Sequence, residues 1–208
     1  PAAAVMVLPE AFGVNHHVRD VTARVASLGY VAAAPELYHR TAPPGFETGY
    51  DGVWPQVAPH FNAVTDQGLA ADLEALHAWL LADAGVNGKT GCVGFCMGGR
   101  AAFLANAVLP LRCSVSFYGG RIATQLLGHA PALHGPQMLL WGGKDKGIGR
   151  AQQRAVADAL AAAGKAFVDV EFSEADHGFH CDERASFHGP SSRQAWALCS
   201  AFLREHLG

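Results

Sequence analysis

The chain contains five cysteines, Cys92, Cys96, Cys113, Cys181 and Cys199, and one of them sits in a setting suited to chemistry. The segment Gly94-Phe95-Cys96-Met97-Gly98 matches G-x-S-x-G with a thiol in the nucleophile's place, and it lies where a strand should hand over to a helix. Such a turn is so sharp that side chains at the flanking glycines would strike neighbouring backbone, and the sharpness lifts the nucleophile above the sheet edge. The helix N-terminus beneath supplies unpaired amides and positive dipole, which favour thiolate and can hold an oxyanion. A glycine-bracketed bend is a costly place for a residue needed only for packing. Cys92 and Cys113, inside apolar runs, suit packing instead.

An activated thiol needs a base and a group to orient that base. The run Met138-Leu139-Leu140-Trp141 ends in Gly142-Gly143-Lys144-Asp145, which puts Asp145 just past a strand's carboxyl end, where sites of open α/β sheets gather. After the next strand comes Glu174-Ala175-Asp176-His177-Gly178-Phe179, so His177 falls in a loop over the same edge. The order nucleophile, acid, histidine is the one such sheets use. The chain has 11 histidines, so position rather than residue type selects His177. Asp176 competes for the acid's role, but neighbours on an extended loop point apart, and it suits a loop cap.

Short β-type runs alternate with helical periodicity, the pattern of parallel strands covered by helices. Strands are expected over 3–8, 30–34, 90–95, 113–118, 137–142 and 166–172. Helices are expected from Val18, Val21, Val25 and Leu28, over 65–83, from Gly98 onward, and over 150–163 and 192–207. The expected fold is α/β, one domain over 1–208 with a mostly parallel central sheet and helices on both faces. Residues 39–64 hold four prolines and three glycines, which predicts a long substrate-side loop with no room for a long helix. Its Phe46, Tyr50, Trp54 and Phe61 serve either to line a binding site or to pin the loop.

With 50% hydrophobic and 16% charged residues, the chain has material for a large core, and disorder is excluded. Its net charge of −3, without basic runs, argues against nucleic acid or an anionic membrane as partner. No apolar stretch approaches a bilayer's thickness and no signal peptide is legible, so a soluble, cytoplasmic protein with reduced thiols is expected. The first residue is Pro1 rather than methionine, and further sequence upstream is expected.

Five segments together resemble the dienelactone hydrolase family, cysteine-nucleophile members of the α/β-hydrolase superfold. They are Pro9-Glu10-Ala11-Phe12-Gly13-Val14-Asn15, Pro35-Glu36-Leu37-Tyr38-His39-Arg40, the Gly-Phe-Cys-Met-Gly-Gly turn, Gly142-Gly143-Lys144-Asp145 and Asp176-His177-Gly178-Phe179. The resemblance implies Cys96 as nucleophile, His177 as base, Asp145 as its orienting acid, and Glu10 as a carboxylate touching the resting thiol. It implies an oxyanion hole from the backbone amides of Met97 and Ala11, and hydrolysis of an ester or lactone through an acyl-thioester. No cofactor or metal is expected, the partner is a small-molecule substrate, and the state is monomer or homodimer. The family's lactone carries a carboxylate held by two arginines, of which this chain retains only Arg40 by motif. The other position is Cys181, and Arg184 is a substitute one turn on. Trp54, Tyr118 and Phe179 are candidate pocket walls.

Two other classes compete. His177, His180, Cys181 and His188 lie close in sequence and carry metal-binding donors, but their spacing fits no closed zinc pattern. Cys96 as a thiol sensor, or the chain as a non-catalytic binder, is the alternative. Cys92 as resolving partner would lie about 13 Å away along an extended strand, too far for a disulfide.

Overall fold

The computed structural model describes all residues, 1–208. Six strands form one sheet: β1 (Ala2–Leu8), β2 (Val31–Ala33), β3 (Val86–Phe95), β4 (Cys113–Phe117), β5 (Gln137–Gly142) and β6 (Phe167–Phe172). Their order is β2-β1-β3-β4-β5-β6, and every pairing is parallel, so the expected mostly parallel sheet is wholly so. The apolar runs of β1, β4 and β5 are buried along nearly their whole length, as sheets covered on both faces require. The helices are α1 (His16–Ser27), α2 (Trp54–Ala63), α3 (Asp66–Leu81), α4 (Met97–Val108), α5 (Arg150–Ala162) and α6 (Gly189–Leu207). α1 turns Val18, Val21 and Val25 inward and is capped by Asn15, whose Oδ1 accepts from the Val18 amide at 3.3 Å. α3 buries Leu69, Leu73 and Leu80 and is capped by Thr65.

Two elements depart from expectation. The 39–64 segment is not all loop, since α2 runs over its last third. Pro55 occupies the first turn, where no donor is needed, and Pro59 costs the helix a single hydrogen bond, which a short surface helix survives. After β4 the chain forms a π-helical turn over Ile122–Leu126 and a 3-10 turn over Leu127–Ala132, neither of which has a clear apolar period.

The chain first steps from β1 out to β2, then returns to place β3 on β1's other side. At such a reversal the carboxyl ends of the strands open a crevice. The registers pair Leu8 with Gly94, Phe95 with Phe117, Phe117 with Leu140 and Gly142 with Phe172, so the strands end level with one another. Glu10, Cys96, Tyr118, Asp145 and His177 each follow one of those ends.

Candidate active site

Cys96 has φ 54° and ψ −112°, a left-handed-side conformation that a non-glycine residue adopts only at a cost of about 1–3 kcal/mol. The bend is enforced from both sides. A Cβ on Gly94 would lie 1.9 Å from the Gly98 carbonyl oxygen, and one on Gly98 would lie 2.0 Å from the Leu8 carbonyl oxygen. The Cys96 amide donates to the Phe117 carbonyl at 3.0 Å, tying the turn to β4. Among the five cysteines, only Cys96 is not fully buried.

The Cys96 sulfur lies near enough to the His177 imidazole to strengthen its hold on a proton. On the other side of the ring, His177 Nδ1 lies 2.7 Å from Asp145 Oδ2. The second Asp145 oxygen accepts from the Gly147 and Ile148 amides at 2.8 and 3.0 Å. Burial would raise the Asp145 carboxyl, but His177 and these two amides hold it below its usual range. Burial likewise acts to lower His177, yet the Cys96 sulfur and the Asp145 carboxylate outweigh it and push His177 up to about 10. Both neighbours thus favour the protonated ring. The Tyr118 ring, 5.2 Å from that of His177, is the platform beneath it. Asp176 accepts from the His177 amide at 2.6 Å, the capping role expected of it.

As first residue of α4, Met97 keeps its amide outside the intrahelical ladder. The Ala11 amide donates to no backbone carbonyl. Both are free to face an oxyanion. The residue that ties them together escaped the sequence reading: the buried Tyr38 hydroxyl donates to the Ala11 carbonyl at 2.9 Å and lies 3.6 Å from Met97 Sδ. Tyr38 was visible as part of a motif, but no spacing betrays where a hydroxyl points.

Glu10 is fully buried, and the hydrogen bond it makes is to an arginine. Its Oε1 accepts from Arg184 Nη1 at 3.2 Å, while Oε2 has no hydrogen-bond partner, Cys96 included. A buried carboxylate gains far more from a guanidinium than from a thiol. Burial works against the Arg184 charge, and Glu10 and the Cys96 sulfur sustain it. The guanidinium also lies 5.7 Å from the ring centroids of both Phe12 and Tyr50.

A cleft of about 580 Å³ opens beside Met97, lined by Phe61, Val64, Arg100, Arg121 and Gln125. A second hollow of about 450 Å³ holds Asp145 and His177 and shares Gly120 and Arg121 with the first. Asp66 neutralises Arg100, whereas Arg121 forms no ion pair and rests over the Phe61 ring at 4.9 Å. The four expected pocket residues stand elsewhere. Arg40 is committed to Asp72 and lines a separate groove with His60 and Gly68. Phe179 is wholly buried against Phe117, Tyr118 and Phe172, where core packing claims it. Trp54 is half exposed and packs behind Phe61, which takes the lining position. Tyr118 is also wholly buried and supports the imidazole rather than walling the cleft.

The metal-type donors His177, His180, Cys181 and His188 do not converge. His177 faces Asp145, His180 faces Ser192, and His188 faces Ser191. No helix is long and apolar enough to cross a membrane.

The sequence model described as "Dienelactone hydrolase family" matches residues 1–207. A Synechocystis protein provisionally named carboxymethylenebutenolidase is 35% identical over 98% of this chain and 86% of its own length. A carboxymethylenebutenolidase of Pseudomonas putida is 29% identical over 86% of this chain and 75% of its own. The crystal structure of a Klebsiella pneumoniae protein provisionally named dienelactone hydrolase superposes with a TM-score of 0.89 at 33% identity. It covers 99% of this chain and 88% of that one.

Proposed function

The chain belongs to the dienelactone hydrolase family, and from that premise we propose that residues 1–208 act as one hydrolase domain that cleaves a small-molecule ester or lactone through Cys96, His177 and Asp145. The observation that carries the reading is the His177–Asp145 pair at 2.7 Å over the same sheet edge from which the strained Cys96 turn rises at the α4 N-terminus. The Cys96 thiolate attacks the carbonyl carbon, and the developing oxyanion is held by the Met97 and Ala11 amides. Collapse expels the alkoxide, which takes its proton from His177, and leaves an acyl-thioester. His177, now neutral, removes a proton from water, whose attack frees the acid and restores the thiolate. Asp145 keeps the imidazole in the tautomer that both steps need.

The cleft walls support a substrate with an apolar body over Phe61 and Met97. Arg121, left without a counterion, supports an acidic substituent, and it occupies the place that the displaced Arg40 does not fill. Glu10 and Arg184 act by setting the field around the sulfur. The test is turnover of an activated aryl ester with mapping of the cysteine that iodoacetamide modifies. Turnover should vanish on alkylation of Cys96 and in Cys96→Ala, and persist in Cys113→Ala; persistent turnover in Cys96→Ala would refute the nucleophile.

A further inference from the structure

Outside the triad, one group of side chains has the chemistry of a metal site and no partner that explains it. We propose that His17, Cys181 and Asp182 bind one divalent metal ion of borderline softness, Zn²⁺ by preference, joining α1 to the loop that carries His177. One ring nitrogen of His17, the Cys181 sulfur and one Asp182 carboxylate oxygen all lie within 4.8 Å of one another. Ligands around a single tetrahedral Zn²⁺, at about 2.0–2.3 Å from the ion, sit roughly 3.3–3.8 Å apart, so a small inward rotation of side chains completes the set.

The second observation is the state of His17. Its side chain is 0% exposed, and neither ring nitrogen has a hydrogen-bond partner. Nδ1 stands 3.4 Å from Asp182 Oδ1, which is ion-pair range without hydrogen-bond geometry. Burying an imidazole with both nitrogens unsatisfied carries the desolvation cost of a polar group with no return, and a metal ion supplies the missing return. The surroundings are arranged as a ligand set requires. His180 packs edge-on at 6.1 Å and fixes the plane of the His17 ring.

Cys181 is buried while the Asp182 side chain is 64% exposed, so the carboxylate faces solvent and offers the ion its entry. On binding, the Cys181 S–H proton leaves to solvent as the metal–sulfur bond forms, and water completes the fourth position. None of the three ligands belongs to the triad. Cys181 lies four residues beyond His177, so the bound ion pins the base's loop to α1.

The experiment uses the full chain carrying Cys96→Ala, which removes the catalytic thiol as a competing ligand. Co²⁺ is titrated and followed by absorption, and Zn²⁺ affinity is read by competition with a chromophoric chelator. The expected result is saturation at one equivalent with a near-ultraviolet thiolate-to-cobalt charge-transfer band, absent in Cys96→Ala/Cys181→Ser. Cys96→Ala/Asp182→Asn, which adds a change only at an exposed side chain, keeps the band but binds Zn²⁺ at least about tenfold more weakly, since loss of even an outer-shell partner costs about 10- to 100-fold. Absence of the band, its persistence without Cys181, or unchanged affinity in the Asp182→Asn protein would each overturn the site. Circular dichroism of each apo-protein separates lost binding from lost fold.

Discussion

Asp145→Asn tests the site at its most constrained atom. In the native carboxylate, one oxygen is already held by the Gly147 and Ile148 amides and only the other faces His177 Nδ1, at 2.7 Å. The substituted amide must keep its oxygen toward those two amides, which turns its NH₂ group toward the imidazole. Two donors cannot share that space, so the neutral His177 is driven to carry its proton on Nε2, the nitrogen that must be free to take the proton of the attacking water. In the Ser-His-Asp template the same Asp→Asn change, acting through the wrong tautomer, costs about 10⁴ in kcat, so a loss of roughly 10³- to 10⁴-fold is expected here. The loop's own hydrogen bonds survive, so the urea midpoint should move far less than the activity does. The assay is steady-state hydrolysis of an aryl ester across pH, alongside thiol labelling of Cys96, which should slow in parallel. Activity within about tenfold of the native protein would show that the carboxylate does not set the tautomer, and the proposed mechanism would lose its third member.

Tyr38→Phe removes the hydroxyl that ties Ala11 to Met97, at about 1 kcal/mol for one hydrogen bond. The loss should appear in kcat, roughly three- to tenfold, with KM little changed. Arg121→Gln should reduce kcat/KM about fivefold for an ester bearing a carboxylate and leave its neutral analogue nearly unaffected, since an exposed ion pair contributes up to about 1 kcal/mol; equal losses for both would remove Arg121 from substrate recognition. His77 is buried against Thr90, and burial lowers its basicity below the ordinary 6.5. The unfolded chain then takes up a proton near pH 6.5 that the folded chain resists. The stability this represents is present above that pH and drains as pH falls, by up to about 1.4 kcal/mol per pH unit. His77→Gln should flatten the difference in urea stability between neutral and mildly acidic pH; an unchanged difference would place the acid sensitivity elsewhere.

The Cys96 turn and the His177–Asp145 pair were legible because their signals are local. Gly94 and Gly98 betray a backbone collision whatever the rest of the chain does, and the runs before Asp145 and His177 mark strand ends that a parallel sheet must bring level. The parallel sheet followed from periodicity for the same reason. What could not be read were pairings decided by competition in three dimensions. Glu10 was expected against the thiol, and only the fold shows that Arg184 arrives from 174 residues away to pair with it. Arg40 kept its place in the motif but pairs with Asp72, a surface pairing with no signature in the chain. α2 was hidden by its prolines, which mark a break by default and are tolerated in its short run.

The six strands do not share the labour of holding the triad equally. Cys96 leaves β3, flanked on both sides, and Asp145 leaves β5, also flanked; His177 leaves β6, which has a neighbour on one side alone. Rim strands open before central ones. The imidazole is thus the member most readily carried off by a local excursion, and the protein's working life in heat or denaturant is governed by how long that outermost strand stays zipped, ahead of any melting of the interior.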